Sequence, residues 1–147
     1  MLKLLLVKML KRSLTRLLLL RAAGLLLMML GIVHLIATPH IATLIRHAAS
    51  PVSAQWLIPP MLLNHIIVGV LLIPLGFLTT YAAPHAAGGA SWAQVIVRTS
   101  ALSVATLPVA LFGLMGTRYY FDAPLFVVGT ALTVIVAVTL LIVAFAR

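Results

Sequence analysis

Histidine is the residue type whose positions in this sequence point most directly to chemistry. His34 and His65 lie inside long apolar stretches, and His40 follows shortly after the first of them. A polar side chain is costly inside an apolar membrane segment, so it usually faces the interior of a helix bundle and is a candidate for function. His34 lies near the end of one stretch and His65 near the start of the next. Antiparallel helices would therefore carry both imidazoles at a similar depth.

Several ligands suit such a histidine pair. Two neutral imidazoles on facing helices could ligate a b-type haem, and with His40 they could hold a transition metal such as zinc or copper. Asn64 could orient one ligand from a second layer. A quinone headgroup could instead hydrogen-bond to His34 or His65. The alternative is structural, in which the two rings bond each other or a backbone carbonyl and hold the helices together.

Other groups that could support catalysis are scarce in this sequence. The chain has no cysteine and a single carboxylate, Asp122, which could cap a helix or pair with Arg118. Proton-coupled transporters generally use Asp or Glu within the membrane, and none of the predicted spans carries one in its interior. Acid–base catalysis by a pair of carboxylates is excluded because the sequence has a single carboxylate. The sequence therefore does not favour an enzyme.

The composition defines the class of protein that must position these residues. Of the 147 residues, 64% are hydrophobic and 7% are charged, whereas a soluble domain contains about a quarter charged residues. Four apolar stretches are near or above the length that crosses a bilayer. We predict an all-α integral membrane protein, a four-helix transmembrane bundle with spans at about 17–37, 59–81, 94–116 and 122–145.

Two further helices are predicted outside these spans. Residues 1–16 form a basic amphipathic pattern expected to rest on anionic lipid headgroups at the membrane surface. Thr38 followed by Pro39 has the pattern of a helix N-cap and first-turn proline, which predicts a short interfacial helix between spans 1 and 2. Residues 17–147 then form a single four-span membrane domain.

The basic residues predict the orientation of the chain. Six of the ten precede or enter the first span: Lys3, Lys8, Lys11, Arg12, Arg16 and Arg21. This placement follows the positive-inside rule and puts both termini in the cytoplasm, in a membrane we expect to be the cytoplasmic membrane of a bacterium or archaeon. It argues against nucleic-acid binding as the reason for the net charge of +9.

Small residues recur on two of the spans and predict where helices pack. The stripe on span 2 consists of His65, Gly69, Leu72 and Gly76, and that on span 3 of Thr99, Ser103, Thr106, Ala110, Gly113 and Thr117.

Together these features favour an accessory subunit, anchor or assembly factor of a membrane complex, with other membrane subunits or a second copy as partners. The first alternative is a redox or metal carrier using His34 and His65. The second is a transporter or enzyme for a lipophilic substrate.

Overall fold

The described part of the chain is built from long α-helices. The computed structural model describes residues 2–115 and 124–145, and no β-strand occurs among them. The helices are α1 (Leu2–Ala48), α2 (Pro51–Ala87), α3 (Ser91–Met115) and α4 (Pro124–Phe145). All four are long and apolar enough to cross a membrane. The predicted all-α class with four candidate spans is confirmed at this level, while the roles predicted for Asp122 and Arg118 fall outside the described residues.

α1 is one continuous helix of 47 residues, which corrects the predicted break at Thr38. The Thr38 hydroxyl donates a hydrogen bond to the His34 carbonyl at 2.8 Å, so it belongs to the helix interior and does not begin a new helix. Pro39 removes one backbone donor, but hydroxyl groups and neighbouring helices make such a loss tolerable in membrane helices. The contact of Thr38 with His65 shows that α2 is the neighbouring helix next to this part of α1.

The basic segment over 1–16 is likewise continuous with the first span. It contains neither glycine nor proline, and its Leu, Lys and Arg residues favour a helix, so nothing ends the helix between the two. The helix predicted over 1–16 is present from Leu2 onward, as the first turns of α1. Its placement on lipid headgroups stays a prediction.

α2 begins at Pro51 and not at the predicted Pro59. Ser50 is its N-cap and accepts a hydrogen bond from the backbone N–H of Ser53 at 3.2 Å. A serine cap followed by a first-turn proline is a stronger start signal than a proline pair, which here lies inside the helix. At its other end α2 continues to Ala87, so His85 lies in the last helical turn.

Glycine residues bring α1 and α2 into backbone contact. Gly24 and Gly31 of α1 face Gly76 and Gly69 of α2, with the same seven-residue spacing on both helices. A β-carbon at Gly31 would lie 2.7 Å from the Gly69 carbonyl oxygen, and one at Gly69 would lie 2.9 Å from the Gly31 carbonyl oxygen. The stripe predicted on span 2 is therefore a packing seam, as expected for small residues in membrane helices.

α3 and α4 pack by apolar side-chain volume. Their buried residues are mainly valine, alanine and leucine: Ala93, Val97, Ala101, Val104, Val136, Ala137, Leu140, Val143 and Ala144. Arg98 of α3 donates to the Ala144 carbonyl at 3.4 Å, and its guanidinium lies 5.5 Å from the centroid of the Phe145 ring. A cation from α3 thus meets the carbonyl end of α4, where the helix dipole favours positive charge.

The stripe predicted to pack on span 3 faces outward. Its described members are all exposed: Thr99, Ser103, Thr106, Ala110 and Gly113. Thr117 lies outside the described residues. The residues that pack, Val97, Ala101 and Val104, lie on the opposite side of α3, because that side matches the apolar surfaces of α2 and α4. The prediction that this stripe packs within the chain is therefore wrong.

Candidate functional site

His34 and His65 meet across the α1–α2 contact. Their ring centroids are 4.6 Å apart and their planes are inclined by 30°, and both side chains are partly buried. The prediction that the first two helices place these imidazoles side by side is confirmed. A role for the pair as ligands stays a prediction.

The glycine seam explains why the two rings are so close. Gly31 precedes His34 by one turn of α1, and Gly69 follows His65 by one turn of α2. Since the two backbones touch at these glycines, side chains one turn further along must share a narrow space. The apolar helices thus hold two polar rings together at a defined point.

A backbone carbonyl fixes the tautomer of His34. The Nδ1 atom of His34 lies 2.9 Å from the Leu30 carbonyl oxygen. A carbonyl oxygen only accepts, so Nδ1 carries the proton and donates it. The other nitrogen of the neutral ring, Nε2, then carries a lone pair and no proton.

Thr38 fixes the tautomer of His65 in the same way. The single hydroxyl proton of Thr38 is donated to the His34 carbonyl at 2.8 Å. The Thr38 oxygen also lies 3.2 Å from Nδ1 of His65, and it must accept there because its proton is already used. In the tautomer that satisfies both contacts, Nδ1 of His65 carries the proton and its Nε2 carries a lone pair.

Thr38, and not the predicted Asn64, contacts a ring of the pair through its side chain. Asn64 is exposed and makes none of the hydrogen bonds that hold the two rings. Threonine in a helix commonly bonds to the carbonyl four residues earlier, and Thr38 stands four residues after His34. That spacing is a signal that could have identified Thr38 from the sequence.

The structure does not add His40 to the pair. His40 is exposed, and within residues 2–115 and 124–145 no three His, Asp or Glu side chains are grouped so that they could hold a metal ion. The predicted metal site built from His34, His40 and His65 is not formed. Any metal bound here would have two imidazole ligands from this part of the chain.

The ring separation bears on the predicted haem. A metal lies about 2 Å from an imidazole nitrogen, so two imidazoles on opposite sides of one iron have centroids roughly 6 Å apart. The observed separation is 4.6 Å, so a haem between these rings would require them to move apart to admit the porphyrin plane, and haem binding by this pair stays a prediction. A quinone headgroup at either ring also stays a prediction: an Nε2 lone pair could accept from the hydroxyl of a hydroquinone, whereas a quinone carbonyl needs a donor.

A second group of rings lies at the end of the bundle where α2 turns into α3. The His85 ring centroid is 5.0 Å from that of Trp92 and 6.5 Å from that of Tyr81. α1 reaches the same end, where the Ser13 hydroxyl donates to the Ala87 carbonyl at 3.2 Å. Exposed amphipathic rings beside the basic end of α1 are typical of a membrane–water boundary.

The outward face of α3 is a further feature that could serve a function. It carries small and hydroxylated residues, and a β-carbon added at Gly113 would meet no other atom of the described chain. Thr106 bonds to the Ser103 carbonyl of its own helix at 2.7 Å, so its hydroxyl does not project as a free polar group. The face is therefore smooth, narrow and compatible with close helix packing.

Compared with known proteins, the chain matches no family model, no curated protein and no solved structure. Function must therefore be inferred from the residues and their geometry. Two features carry that inference: the outward face of α3 and the histidine pair between α1 and α2.

Proposed function

We propose that this chain is an accessory subunit or anchor of a membrane complex, and that the outward face of α3 packs against a helix of another subunit. The observation that carries this proposal is the exposure of Ser103, Ala110 and Gly113 together with Thr99 and Thr106. These residues lie opposite the side of α3 that packs within the chain.

The chain itself supplies the physical argument for this interface. Lipid tails are as apolar as leucine, so helices in a membrane associate through close packing, which small residues allow. α1 and α2 use glycines in this way. The same kind of surface on α3 meets no helix of the described chain, which supports a helix from outside the chain as its partner.

The rest of the surface supports a location within the bilayer. Large apolar side chains are exposed along all four helices, among them Ile36, Val70, Val109 and Ile142. Such surface is stable against lipid and not against water. With the positive-inside rule, the N-terminal cations favour cytoplasmic termini in a bacterial or archaeal cytoplasmic membrane.

Site-specific photo-cross-linking in native membranes tests this proposal. A photoreactive amino acid at Ala110 samples the outward face, and the same group at Val109 is a matched control about 100° around the helix. At Ala110 we expect one discrete cross-linked product, whose mass exceeds that of the chain by the mass of a different protein. Its yield should be several-fold higher than at Val109. Equal cross-linking at both positions would contradict the interface. A product of twice the mass of the chain would replace the accessory role with self-association.

A further inference from the structure

Each ring of the histidine pair has one nitrogen, Nε2, whose lone pair has no role in the proposed α3 interface. We infer that Nε2 of His34 and Nε2 of His65 bind a soft monovalent metal cation, with Cu(I) as the biological candidate and Ag(I) as its redox-inert analogue. This inference concerns α1 and α2 alone and does not depend on a partner subunit.

The hydrogen bonds place a metal-binding nitrogen on each ring. Nδ1 of His34 donates to the Leu30 carbonyl, and Nδ1 of His65 donates to Thr38. Metal-ligating histidines are usually held in this manner, with one nitrogen donating to the protein and the other left for the metal. No described residue donates a hydrogen bond to either Nε2.

Both Nε2 atoms are also accessible. In the described part of the chain, the buried side-chain nitrogen or oxygen that lacks a partner is Nε of Arg16. The Nε2 atoms of His34 and His65 are not among such buried atoms, so both retain some exposed surface.

Charge and ligand number favour a monovalent ion. Zinc and divalent copper prefer four or more ligands, often including carboxylates. The described residues offer two imidazoles here and no third His, Asp or Glu nearby, and the whole sequence has one carboxylate. A monovalent ion with a filled d shell is stable with two nitrogen ligands and brings a single charge into an apolar region, where each uncompensated charge is costly.

The rings need to move little to share such an ion. An ion about 2 Å from each Nε2 requires ring centroids roughly 5 to 6 Å apart, depending on the angle at the metal. The centroids are now 4.6 Å apart. Binding therefore requires the two rings to move apart by roughly 1 Å while each Nδ1 keeps its hydrogen bond and the glycine seam holds the two backbones together.

Thr38 is the positioning residue of this site. Its hydroxyl links the His34 carbonyl to Nδ1 of His65, which sets the tautomer of the second ligand. Loss of such a second-layer hydrogen bond typically weakens metal binding about 10- to 100-fold. Thr38→Val removes the hydroxyl at nearly constant shape, and Thr38→Ser restores it.

A competition titration tests the site. The full-length chain in lipid nanodiscs is titrated with ascorbate-reduced Cu(I) against the chromogenic chelator bicinchoninate. We expect one ion per chain, at least tenfold weaker binding in His34→Gln and in His65→Gln, and about tenfold weaker binding in Thr38→Val with recovery in Thr38→Ser. His40→Gln is the matched control and should bind as the unchanged protein does. Unchanged Cu(I) uptake by the His34→Gln/His65→Gln double variant would overturn the inference.

A second measurement avoids any effect of the substitutions on folding. Nitrogen-15 NMR of histidine-labelled protein reports which ring nitrogen carries the proton. We expect unprotonated Nε2 atoms in both His34 and His65, and a shift of both resonances on addition of Ag(I). A proton on either Nε2, or a response to a soluble hydroquinone without a response to Ag(I), would overturn the metal assignment.

Discussion

The two halves of the bundle use different physics to hold their helices together. In the α1–α2 half, glycines put one backbone against the other, and Gly31 and Gly69 leave no space for a β-carbon. In the α3–α4 half, valine, alanine and leucine side chains fill the interface, as Val104 and Leu140 do. The first kind of contact depends on shape and tolerates almost no added atom. The second depends on apolar volume and tolerates more change.

The two halves also differ in where their polar side chains lie relative to the contact between the helices. Close backbone contact in the α1–α2 half brings the His34 and His65 ring centroids to 4.6 Å and the Thr38 hydroxyl to 3.2 Å from Nδ1 of His65. In the α3–α4 half, the hydroxyl groups of the outward face lie apart from that packing, and its main polar contact is Arg98 at the end of α4. A candidate binding site and a candidate docking face thus occur on different helix pairs.

The largest expected effect comes from adding bulk to the glycine seam. In Gly31→Val, the first added carbon alone would lie 2.7 Å from the Gly69 carbonyl oxygen, so α1 and α2 must separate. We expect a loss of about 3 kcal/mol in the free energy of unfolding, measured by tryptophan fluorescence during titration with denaturing detergent. Gly113→Val is the matched control, because a β-carbon at Gly113 meets nothing. Equal losses in the two variants would show that the seam is not a tight contact.

Removing apolar volume from the α3–α4 contact should have a smaller effect. Leu140 is fully buried in the core, and Leu140→Ala should lower the free energy of unfolding by about 2 kcal/mol through lost packing. Ile142 on the same helix is 63% exposed, and Ile142→Ala should change it much less. If Ile142→Ala were the more damaging of the two, the assignment of the buried side of α4 would be wrong.

The Thr38 hydroxyl, which contacts His65, should contribute less to stability than the Leu140 side chain does. Thr38→Val removes the bonds to the His34 carbonyl and to His65, and we expect a loss of about 1 kcal/mol. Thr43→Val is the control, since the exposed Thr43 hydroxyl makes one long bond of 3.4 Å to the Pro39 carbonyl. The same unfolding titration compares the two variants, and a larger loss in Thr43→Val would refute the linkage through Thr38.

The smallest expected effect is at the end of α4. Arg98→Gln removes a cation from the Ala144 carbonyl and from the Phe145 ring. We expect a loss of about 0.5 kcal/mol, because charge at an accessible helix end contributes little. The loss should shrink at high salt as the interaction is screened. A loss that is independent of salt would point to packing of the Arg98 side chain as its cause.

The sequence predicted the helical class and the meeting of His34 with His65, because apolar length and antiparallel order determine both. It did not predict the continuity of α1, since Thr38 and Pro39 have the local pattern of a helix start. Local pattern cannot reveal that α2 packs beside this proline and that the Thr38 hydroxyl turns back to the His34 carbonyl. The sequence likewise cannot show that Thr38, and not Asn64, contacts the His65 ring, because hydrogen-bond partners depend on which way a side chain projects.

The outward face of α3 shows a second limit of sequence reasoning. Small residues at helical spacing, such as Ser103, Ala110 and Gly113, identify a face suited to close packing. They do not identify the helix that will pack there. The buried side, with Val97 and Val104, has an equally regular spacing, and only the positions of α2 and α4 decide between the two faces.

A glycine-packed helix pair holds His34 against His65. Solid-state NMR of the chain in lipid bilayers, with isotope-labelled histidine, measures this contact directly. We expect a ring-to-ring correlation that disappears in His65→Gln and persists in His40→Gln. The absence of that correlation in the unchanged protein, with α1 and α2 still helical, would contradict it.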